Sequence, residues 1–182
     1  MRVEGGKYRN KRLQSSMSGK VKPTARRVRE GLFKYLGEGI DGVRFLDLCA
    51  GSGAVGIEAL SRGAAHATFV ERSPKFCDNI RANLENCGAP PESAEVITAE
   101  VIGFLQLARA AAVSWELVYY DPPYTEDYAQ VLFELGSGTL ISDAGRLIVE
   151  HLAEREVSPP LGHHTVEALD FGDTRLSVFV RN

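Results

Sequence analysis

The sequence predicts an α/β fold of the Rossmann-like kind, with a mostly parallel sheet flanked by helices on both faces. From residue 43 onwards, apolar strand-like runs alternate with helical stretches, and repeated βα units of this kind build parallel sheets. A glycine-rich turn joins the first strand to the helix that follows it, as in nucleotide-binding folds. The last two strand-like runs are separated only by Phe171-Gly172-Asp173, which indicates an antiparallel edge.

The N-terminal region is expected to form a hairpin, a loop and a helix. Residues 2–13 alternate apolar and basic side chains around a Gly-Gly break, which favours a short hairpin. Residues 14–21 are rich in Ser, Gly and Lys and predict a loop. Thr24 is the expected N-cap of the helix, whose apolar stripe comprises Val28, Leu32, Tyr35 and Leu36.

The remaining elements follow from alternating strand and helix patterns. Strands are expected at residues 43–48, 67–71, 95–98, 116–120, 146–150, 165–169 and 176–180. Helices are expected between them at residues 54–62, 74–87, 101–112 and 128–135. Trp115 is expected to mark core at the start of a strand.

Length and composition limit the class of protein. The 182 residues, 44% hydrophobic and 25% charged, fit one globular domain with a short extension, which we divide into 1–38 and 39–182. No apolar run approaches the roughly 18 residues of a membrane span, and no secretory signal is recognised. Cys49, Cys77 and Cys87 form no C-x-x-C pair, so we expect reduced thiols in a cytoplasmic protein.

The charge is strongly divided along the chain. Residues 1–35 contain eleven basic and two acidic side chains, a net charge of +9, whereas the remainder carries −12. This asymmetry predicts a polyanion-binding arm on an acidic body, with a solvated basic tail as the alternative. Because the helix has an apolar face, we expect it to pack on the body. Residues 1–20 precede that helix and are expected to be dispensable for folding.

The glycine-rich turn predicts a nucleoside-containing cofactor. Gly51, Gly53 and Gly56 form G-x-G-x-x-G between a strand and a helix, the context that this motif requires. Glu71 ends the next strand, where an acid can accept hydrogen bonds from ribose hydroxyls. A nicotinamide dinucleotide and S-adenosylmethionine both fit this pattern, and a purely structural glycine turn is the alternative.

Asp47 favours S-adenosylmethionine, because it ends the first strand four residues before Gly51. An acid there can hold the ammonium of a methionine moiety, which a dinucleotide lacks. Glu100 is a candidate for the adenine amino group, and a simple helix N-terminal acid is the alternative. The predicted cofactor-binding residues are Asp47, Cys49, Ala50, Gly51, Ser52, Gly53, Glu71, Arg72 and Glu100.

The predicted catalytic residues are Asp121, Pro122, Pro123 and Tyr124, which end the fourth strand. The exocyclic amine of a base is a poor nucleophile, because its lone pair is delocalised into the ring. Asp121 and the Pro122 carbonyl can accept its two N–H bonds and orient the nitrogen. The prolines stiffen the loop, and Tyr124 can stack on the base. The alternative is a proline-rich turn with a surface tyrosine.

These motifs resemble the RsmD-like bacterial methyltransferases, which modify N2 of a guanine in small-subunit ribosomal RNA. The resemblance covers nearly the whole chain. It rests on Gly5-Gly6-Lys7-Tyr8-Arg9, on Lys22-Pro23-Thr24, on the glycine loop with residues 58–64, on Asp121-Pro122-Pro123-Tyr124 and on Gly172-Asp173-Thr174-Arg175-Leu176. The sequence departs from the family at Ala25-Arg26, where Thr-Asp is usual, at Ala99-Glu100, where Asp-Ala is usual, and at Glu4, which interrupts a normally apolar pair.

The resemblance implies a class I methyltransferase domain at 39–182, with strand order 3-2-1-4-5-7-6 and the seventh strand antiparallel. It also implies methyl transfer from S-adenosylmethionine to guanine N2 of 16S rRNA, without a metal or a covalent intermediate. The base is expected to leave its stack. We expect a monomer that acts on a small-subunit particle, with RNA contacts at Lys7, Arg9, Lys11, Arg12, Lys22, Arg27 and Arg29.

Three further expectations remain. His163 and His164 are adjacent and face opposite sides of a strand, so no metal site is expected there. A DNA adenine-N6 methyltransferase would share the Asp-Pro-Pro-Tyr chemistry, although the chain lacks residues for a separate target-recognition domain. An RNA-binding assembly factor without activity would keep the basic arm and would not need Asp121.

Overall fold

The computed structural model describes residues 1–15, 26–123 and 128–182. Its sheet has seven strands in the order β3-β2-β1-β4-β5-β7-β6, so the predicted strand order is confirmed. The strands β1 to β5 pair in parallel, and β7 is antiparallel to both β5 and β6. The strands are β1 Arg44–Leu48, β2 His66–Glu71, β3 Ala94–Thr98, β4 Trp115–Tyr120, β5 Ile141–Leu152, β6 His163–Asp170 and β7 Thr174–Arg181.

Helices cover both faces of the sheet, as the sequence predicts. They are α1 Arg26–Leu36, α2 Ala54–Ser61, α3 Pro74–Cys87, α4 Val101–Ala110 and α5 Ala129–Gly136, with 3-10 turns at Gly37–Ile40 and Pro91–Ser93. Buried side chains of α1, α2 and α3 form one core with one face of the sheet. Those of α4 and α5 form a second core on the other face. No helix in the described part of the chain combines the length and apolar content that a membrane crossing needs.

Most predicted bounds agree with the structure to within one or two residues, and β5 is the main exception. It begins at Ile141 rather than at residue 146. Its pairing with β4 is irregular between Trp115 and Leu117, which interrupts the alternation that sequence patterns depend on. At the other end of the sheet, His163 is buried and His164 is exposed, so the two side chains face opposite sides.

Residues 1–15, here called the N-terminal segment, are part of the main core. The predicted short hairpin is present: an antiparallel bridge joins Arg2 and Arg12, and backbone hydrogen bonds connect Val3 with Lys11 and Met1 with Leu13. The side chains of Val3, Tyr8 and Leu13 are buried in the core that α1, α2 and α3 share. Removing them would expose apolar surface and open cavities, which argues against the expectation that residues 1–20 are dispensable for folding.

A buried carboxylate on α2 anchors the N-terminal segment. Glu58 is 0% exposed, and its two oxygens accept the backbone N–H groups of Glu4 and Gly5, each at 2.8 Å. Arg62 pairs with the same carboxylate at 2.7 Å, and the Arg29 Nε lies 3.7 Å from it. Two chain segments more than fifty residues apart in the sequence are joined in this way.

The structure corrects the assignment of Arg29 to RNA binding. Its side chain is 2% exposed and donates to the carbonyl of Arg2 at 2.8 Å and to Glu4 at 3.3 Å. A guanidinium held by two carboxylates inside the protein does not reach a phosphate. We call Glu4, Arg29, Glu58 and Arg62 the anchor cluster.

The turn between β6 and β7 packs against α1. A side chain at Gly31 of α1 would overlap the ring of Phe171, and one at Gly172 would lie 3.2 Å from the guanidinium of Arg27. Only a glycine at position 31 lets the aromatic ring lie directly on the helix backbone. The helix that follows the N-terminal segment is therefore held by the end of the sheet.

Candidate cofactor and catalytic site

The predicted cofactor residues meet at the carboxyl ends of β1 and β2. The loop of residues 49–53 leaves β1 and leads into α2, and Gly51 and Gly53 have φ angles of 56° and 74°. Cys49 has a φ of 61°, a left-handed conformation that is rare and costly for a residue with a side chain. The sequence predicted Cys49 as a cofactor-binding residue but gave no signal of this backbone geometry.

Two glycines of the motif have different roles. A side chain at Gly56 would overlap the ring of Phe69, so this glycine lets α2 lie close to β2. Among the described residues, a Cβ at Gly51 would have only the Cys49 carbonyl oxygen as a neighbour within 4 Å, at 3.9 Å. The space beside Gly51 is therefore open for a ligand that approaches the backbone closely.

Glu71 is held in place by the two loops that surround it. Its Oε2 accepts the N–H of Gly51 at 3.0 Å, and its Oε1 accepts the N–H of Ser73 at 2.9 Å. Each carboxylate oxygen has a further lone pair after these bonds. The carboxylate is thus fixed in orientation and retains the capacity to accept two hydroxyl groups, as a ribose requires.

Asp47 is a buried carboxyl group with no compensating cation in the part of the chain that the structure describes. It is 2% exposed and accepts the N–H of Gly56 at 2.9 Å. Burial raises its pKa to about 8, and the charge of Glu71 adds to this, while the Gly56 hydrogen bond opposes it. Within the described residues, the groups that act on this pKa include no basic side chain.

This arrangement fits the ammonium group of a methionine moiety. A cation next to Asp47 would favour the carboxylate form and replace the lost hydration. The open space beside Gly51 and the acceptor capacity of Glu71 fit the nucleoside part. The residues present therefore match S-adenosylmethionine on their chemistry.

The structure brings Asp121 to the same edge of the sheet. It directly follows β4, is partly buried, and donates its backbone N–H to the carbonyl of Leu48 on β1 at 3.4 Å. Pro122 is buried and Pro123 is exposed. Tyr124 lies outside the described residues.

A tyrosine and a glutamate that the sequence did not single out lie beside Asp121. The Tyr119 hydroxyl donates to the buried Glu150 of β5. Burial and the charges of Glu150, Asp121 and Asp47 raise the pKa of Tyr119 well above its usual value, so the phenol stays protonated. The sequence does contain a signal for Tyr119: it lies two residues before Asp121, so both side chains point to the same face of the sheet. Asp47 is the register partner of Tyr119 on β1 and points to that face as well.

The remaining predicted cofactor residues surround this edge. Glu100 and Arg72 are exposed and follow β3 and β2. Glu100 occupies the N-cap position of α4, where its side chain makes no capping hydrogen bond, and its contact with adenine stays a prediction. Ala50 donates its N–H to the Val70 carbonyl at 3.1 Å, which ties the start of the loop to β2.

The basic side chains of the N-terminal segment face solvent. All five are exposed, Arg2 among them. We call the four that the sequence predicts as RNA contacts the basic surface: Lys7, Arg9, Lys11 and Arg12. Arg27 on α1 is exposed as well, whereas Lys22 and the predicted N-cap Thr24 lie outside the described residues. Their contact with RNA stays a prediction.

Comparison with known proteins places this fold and site in a family. Residues 1–180 match a family model described as conserved hypothetical protein 95. The chain belongs to this RsmD-like family. It is 34% identical to the putative rRNA methyltransferase YlbH of Bacillus subtilis over 161 residues, which are 88% of this chain and 86% of that protein. The resemblance seen in the sequence is therefore confirmed.

Two more RsmD-like proteins agree. The ribosomal RNA small subunit methyltransferase D of Escherichia coli K12 is 33% identical over 168 residues, 92% of this chain and 80% of that protein. The solved structure of the putative methyltransferase yhhF from Escherichia coli superposes with a TM-score of 0.86 at 28% identity, covering 100% of this chain and 97% of that one. The predicted Rossmann-like methyltransferase fold is confirmed.

Proposed function

We propose that this RsmD-like rRNA methyltransferase transfers a methyl group from S-adenosylmethionine to the exocyclic N2 of a guanine in 16S rRNA. The observation that carries the proposal is the position of Asp121. It lies at the same sheet edge as Asp47 and Glu71, and its backbone is tied to β1 by the Leu48 hydrogen bond. The acceptor of the amine thus stands next to the cofactor residues.

Different residues of the chain bind different parts of the cofactor. Asp47 holds the ammonium of the methionine moiety, Glu71 accepts the ribose hydroxyls, and the loop at Gly51 approaches the ligand closely. S-adenosylmethionine, when bound, supplies a methyl group on a positively charged sulfur. The protein needs to provide position and orientation rather than a nucleophile of its own.

The residues after β4 prepare the attacking nitrogen. The Asp121 carboxylate and the Pro122 carbonyl accept the two N–H bonds of guanine N2. This favours a pyramidal nitrogen whose lone pair is available, and it directs that lone pair. The base leaves its stack to reach this edge, and Tyr124 is proposed to stack on it.

Replacing Asp121 tests the catalytic part of the proposal. We expect Asp121→Ala to lower turnover by a factor on the order of 10² or more, because the interaction that orients the amine is lost. The affinity for S-adenosylhomocysteine, measured by calorimetry, is expected to stay nearly unchanged. Asp78→Ala is the matched control, since Asp78 is an exposed aspartate that pairs with Arg81 on α3. Turnover of Asp121→Ala close to wild type would refute the mechanism.

The substrate is tested by transfer of a tritiated methyl group. Small-subunit particles, free 16S rRNA and DNA are offered in parallel, and the labelled nucleoside is identified after digestion. The proposal expects N2-methylguanosine from RNA, with more label in small-subunit particles than in free 16S rRNA. We further propose that the enzyme acts as a monomer in the cytoplasm. N6-methyladenine in DNA would favour the DNA methyltransferase, and no label in any substrate would favour an RNA-binding assembly factor.

We also propose that residues 1–38 bind the RNA, through the basic surface together with Lys22 and Arg27. Residues 1–35 carry +9 and the rest of the chain −12, so the acidic body repels RNA and the basic region supplies the attraction. Because Val3, Tyr8 and Leu13 are buried, a deletion would damage the core. Substitution of exposed side chains avoids this problem.

The test replaces all four residues of the basic surface by Gln. RNA affinity is expected to fall. The slope of log K against log[salt] is expected to become shallower by roughly 3 units, since each lost phosphate contact reduces its magnitude by about 0.7–0.9. The melting temperature is expected to stay close to wild type. Arg44→Gln, which removes an exposed arginine at the amino end of β1, is the control. An unchanged salt slope in the fourfold variant would contradict the proposal.

A further inference from the structure

Asn83 on α3 lies between the glycine loop and the N-terminal segment. Its side chain is almost fully buried, with 1% exposed. The amide nitrogen donates to the carbonyl of Ser52 and to the carbonyl of Gln14, both at 3.0 Å. The amide oxygen accepts the backbone N–H of Gln14 at 2.7 Å. One side chain therefore contacts both regions.

Both N–H groups of this amide are used, one for each region. An asparagine amide has two donor hydrogens, so Asn83 cannot turn to strengthen one bond without weakening the other. Ser52 stands between Gly51 and Gly53, the two glycines of the cofactor loop whose φ angles are positive. A displacement of the Ser52 carbonyl therefore changes the hydrogen bond between Asn83 and Gln14.

Gln14 directly follows the end of the basic surface. Arg12 lies two residues before it, and Leu13 between them is buried in the core. The position of Gln14 thus affects how the last basic side chains of the N-terminal segment are presented. The cofactor loop and the proposed RNA-binding residues are linked through a single buried hydrogen-bonding group.

We propose that Asn83 is a positioning residue that couples cofactor binding to RNA binding. Cofactor binding fixes the loop at Ser52, Asn83 holds Gln14, and the basic surface is ordered for RNA. The proposal rests on the proposed function, because it requires both ligands. Coupling between two binding sites is reciprocal, so RNA strengthens cofactor binding by the same factor.

Asn86 provides a matched control on the same helix. It lies three residues after Asn83 and is exposed, and its amide nitrogen donates to the carbonyl of Arg12 at 2.7 Å. It holds the N-terminal segment as Asn83 does. Arg12, which accepts this hydrogen bond, is not in the glycine loop, so loss of the Asn86 amide should not affect coupling.

The first experiment measures RNA affinity with and without saturating S-adenosylhomocysteine. We expect the wild type to bind RNA about threefold to tenfold more tightly when the site is loaded. Asn83→Asp keeps the size and the acceptor for the Gln14 N–H but retains at most one of the two donations, so it cannot hold both regions and this ratio falls to about 1. Asn86→Asp lowers affinity equally in both states and keeps the wild-type ratio.

The second experiment uses the wild type alone, so it does not depend on how well the variants fold. Amide hydrogen exchange of Gln14, whose N–H binds Asn83, is expected to slow on addition of S-adenosylhomocysteine. Exchange of the Asn10 amide, which donates to the Val3 carbonyl within the segment at 2.9 Å, is expected to stay unchanged. This contrast separates coupling through Asn83 from general stabilisation.

The outcomes distinguish this inference from the proposed function. Failure of the wild type to bind S-adenosylhomocysteine or RNA would refute the proposed function. Binding of both ligands with an affinity ratio of 1, or with the ratio retained in Asn83→Asp, would overturn the coupling and leave the proposed function intact. Equal loss of the ratio in Asn83→Asp and Asn86→Asp would assign both residues a structural role only.

Discussion

Glu58 and Asp47 are two carboxyl groups on neighbouring elements, and they are buried to the same degree. Glu58 is 0% exposed and Asp47 2%. Glu58 is surrounded by Arg29, Arg62 and two backbone N–H groups, whereas Asp47 has the Gly56 N–H and a pKa raised to about 8. Depth of burial thus does not separate structural from functional acids, while compensation of the charge does.

Removing the compensated acid is expected to have the largest effect. Glu58→Ala should lower the free energy of unfolding by about 3–5 kcal/mol, because it removes one of the two carboxylates that compensate the buried Arg29 and leaves the N–H groups of Glu4 and Gly5 unsatisfied. Urea unfolding measures this loss. Glu30→Ala is the control, since Glu30 is an exposed partner of Arg26 on α1 and should cost less than about 1 kcal/mol. If Glu58→Ala lowered the free energy of unfolding as little as Glu30→Ala does, Glu58 could not be called a structural acid in contrast to Asp47.

Glu71 sharpens the comparison, since it is held by N–H groups and has acceptor capacity left for a ligand. Glu71→Ala should weaken S-adenosylhomocysteine binding by about 1–3 kcal/mol through the loss of charge-assisted hydrogen bonds. Calorimetry checks this value, with NAD as the competing ligand. NAD binding as strong as that of S-adenosylhomocysteine would show that the site is a dinucleotide site.

Replacing Asp47 should raise the free energy of unfolding in the absence of cofactor, whereas replacing Glu58 lowers it. Its pKa is about 8 in the folded protein, against an ordinary value of 3.8. The folded state therefore holds a proton that the unfolded state has released, and stability falls as the pH rises from about 4 to 8. Asp47→Asn lacks this penalty, so above pH 8 it should be more stable than wild type by several kcal/mol, since each unit of pKa shift corresponds to about 1.4 kcal/mol.

The same variant should bind S-adenosylhomocysteine more weakly, since the ammonium loses its counter-charge. Thermal melting of both proteins from pH 4 to 9, without ligand, gives the stability difference. The difference should vanish near pH 4 and level off above pH 8. A difference that is constant across this range would show that Asp47 does not titrate as described.

The sequence placed Asp47, Glu71 and Asp121 correctly at one edge, because parallel strands end together and each acid follows a recognisable strand. Arg29 could not be assigned correctly in this way. Its partners are Glu4 and Glu58, which lie 25 and 29 residues away in the chain, and helical periodicity placed it off the apolar stripe. A charged residue buried by ion pairs has no local signature.

The same limit applies to Asn83 and to the Tyr119–Glu150 pair. Their hydrogen bonds join elements whose contacts depend on the register of β4 and β5 and on the docking of the N-terminal segment on α3. The hairpin pattern of residues 2–13 was recognised, but its buried Val3, Tyr8 and Leu13 made it part of the core. Alternating patterns do not tell which surface such a segment covers.

The close packing of Gly31 against Phe171 has a consequence for synthesis of the chain. These residues lie 140 positions apart, and closing so long a loop has a large entropic cost that early contacts do not offset. A nascent chain emerging from the ribosome contains α1 long before it contains the turn that holds it. The contact between Phe171 and α1 therefore forms only after most of the chain has been synthesised, and until then α1 depends on its contacts with α2 and α3.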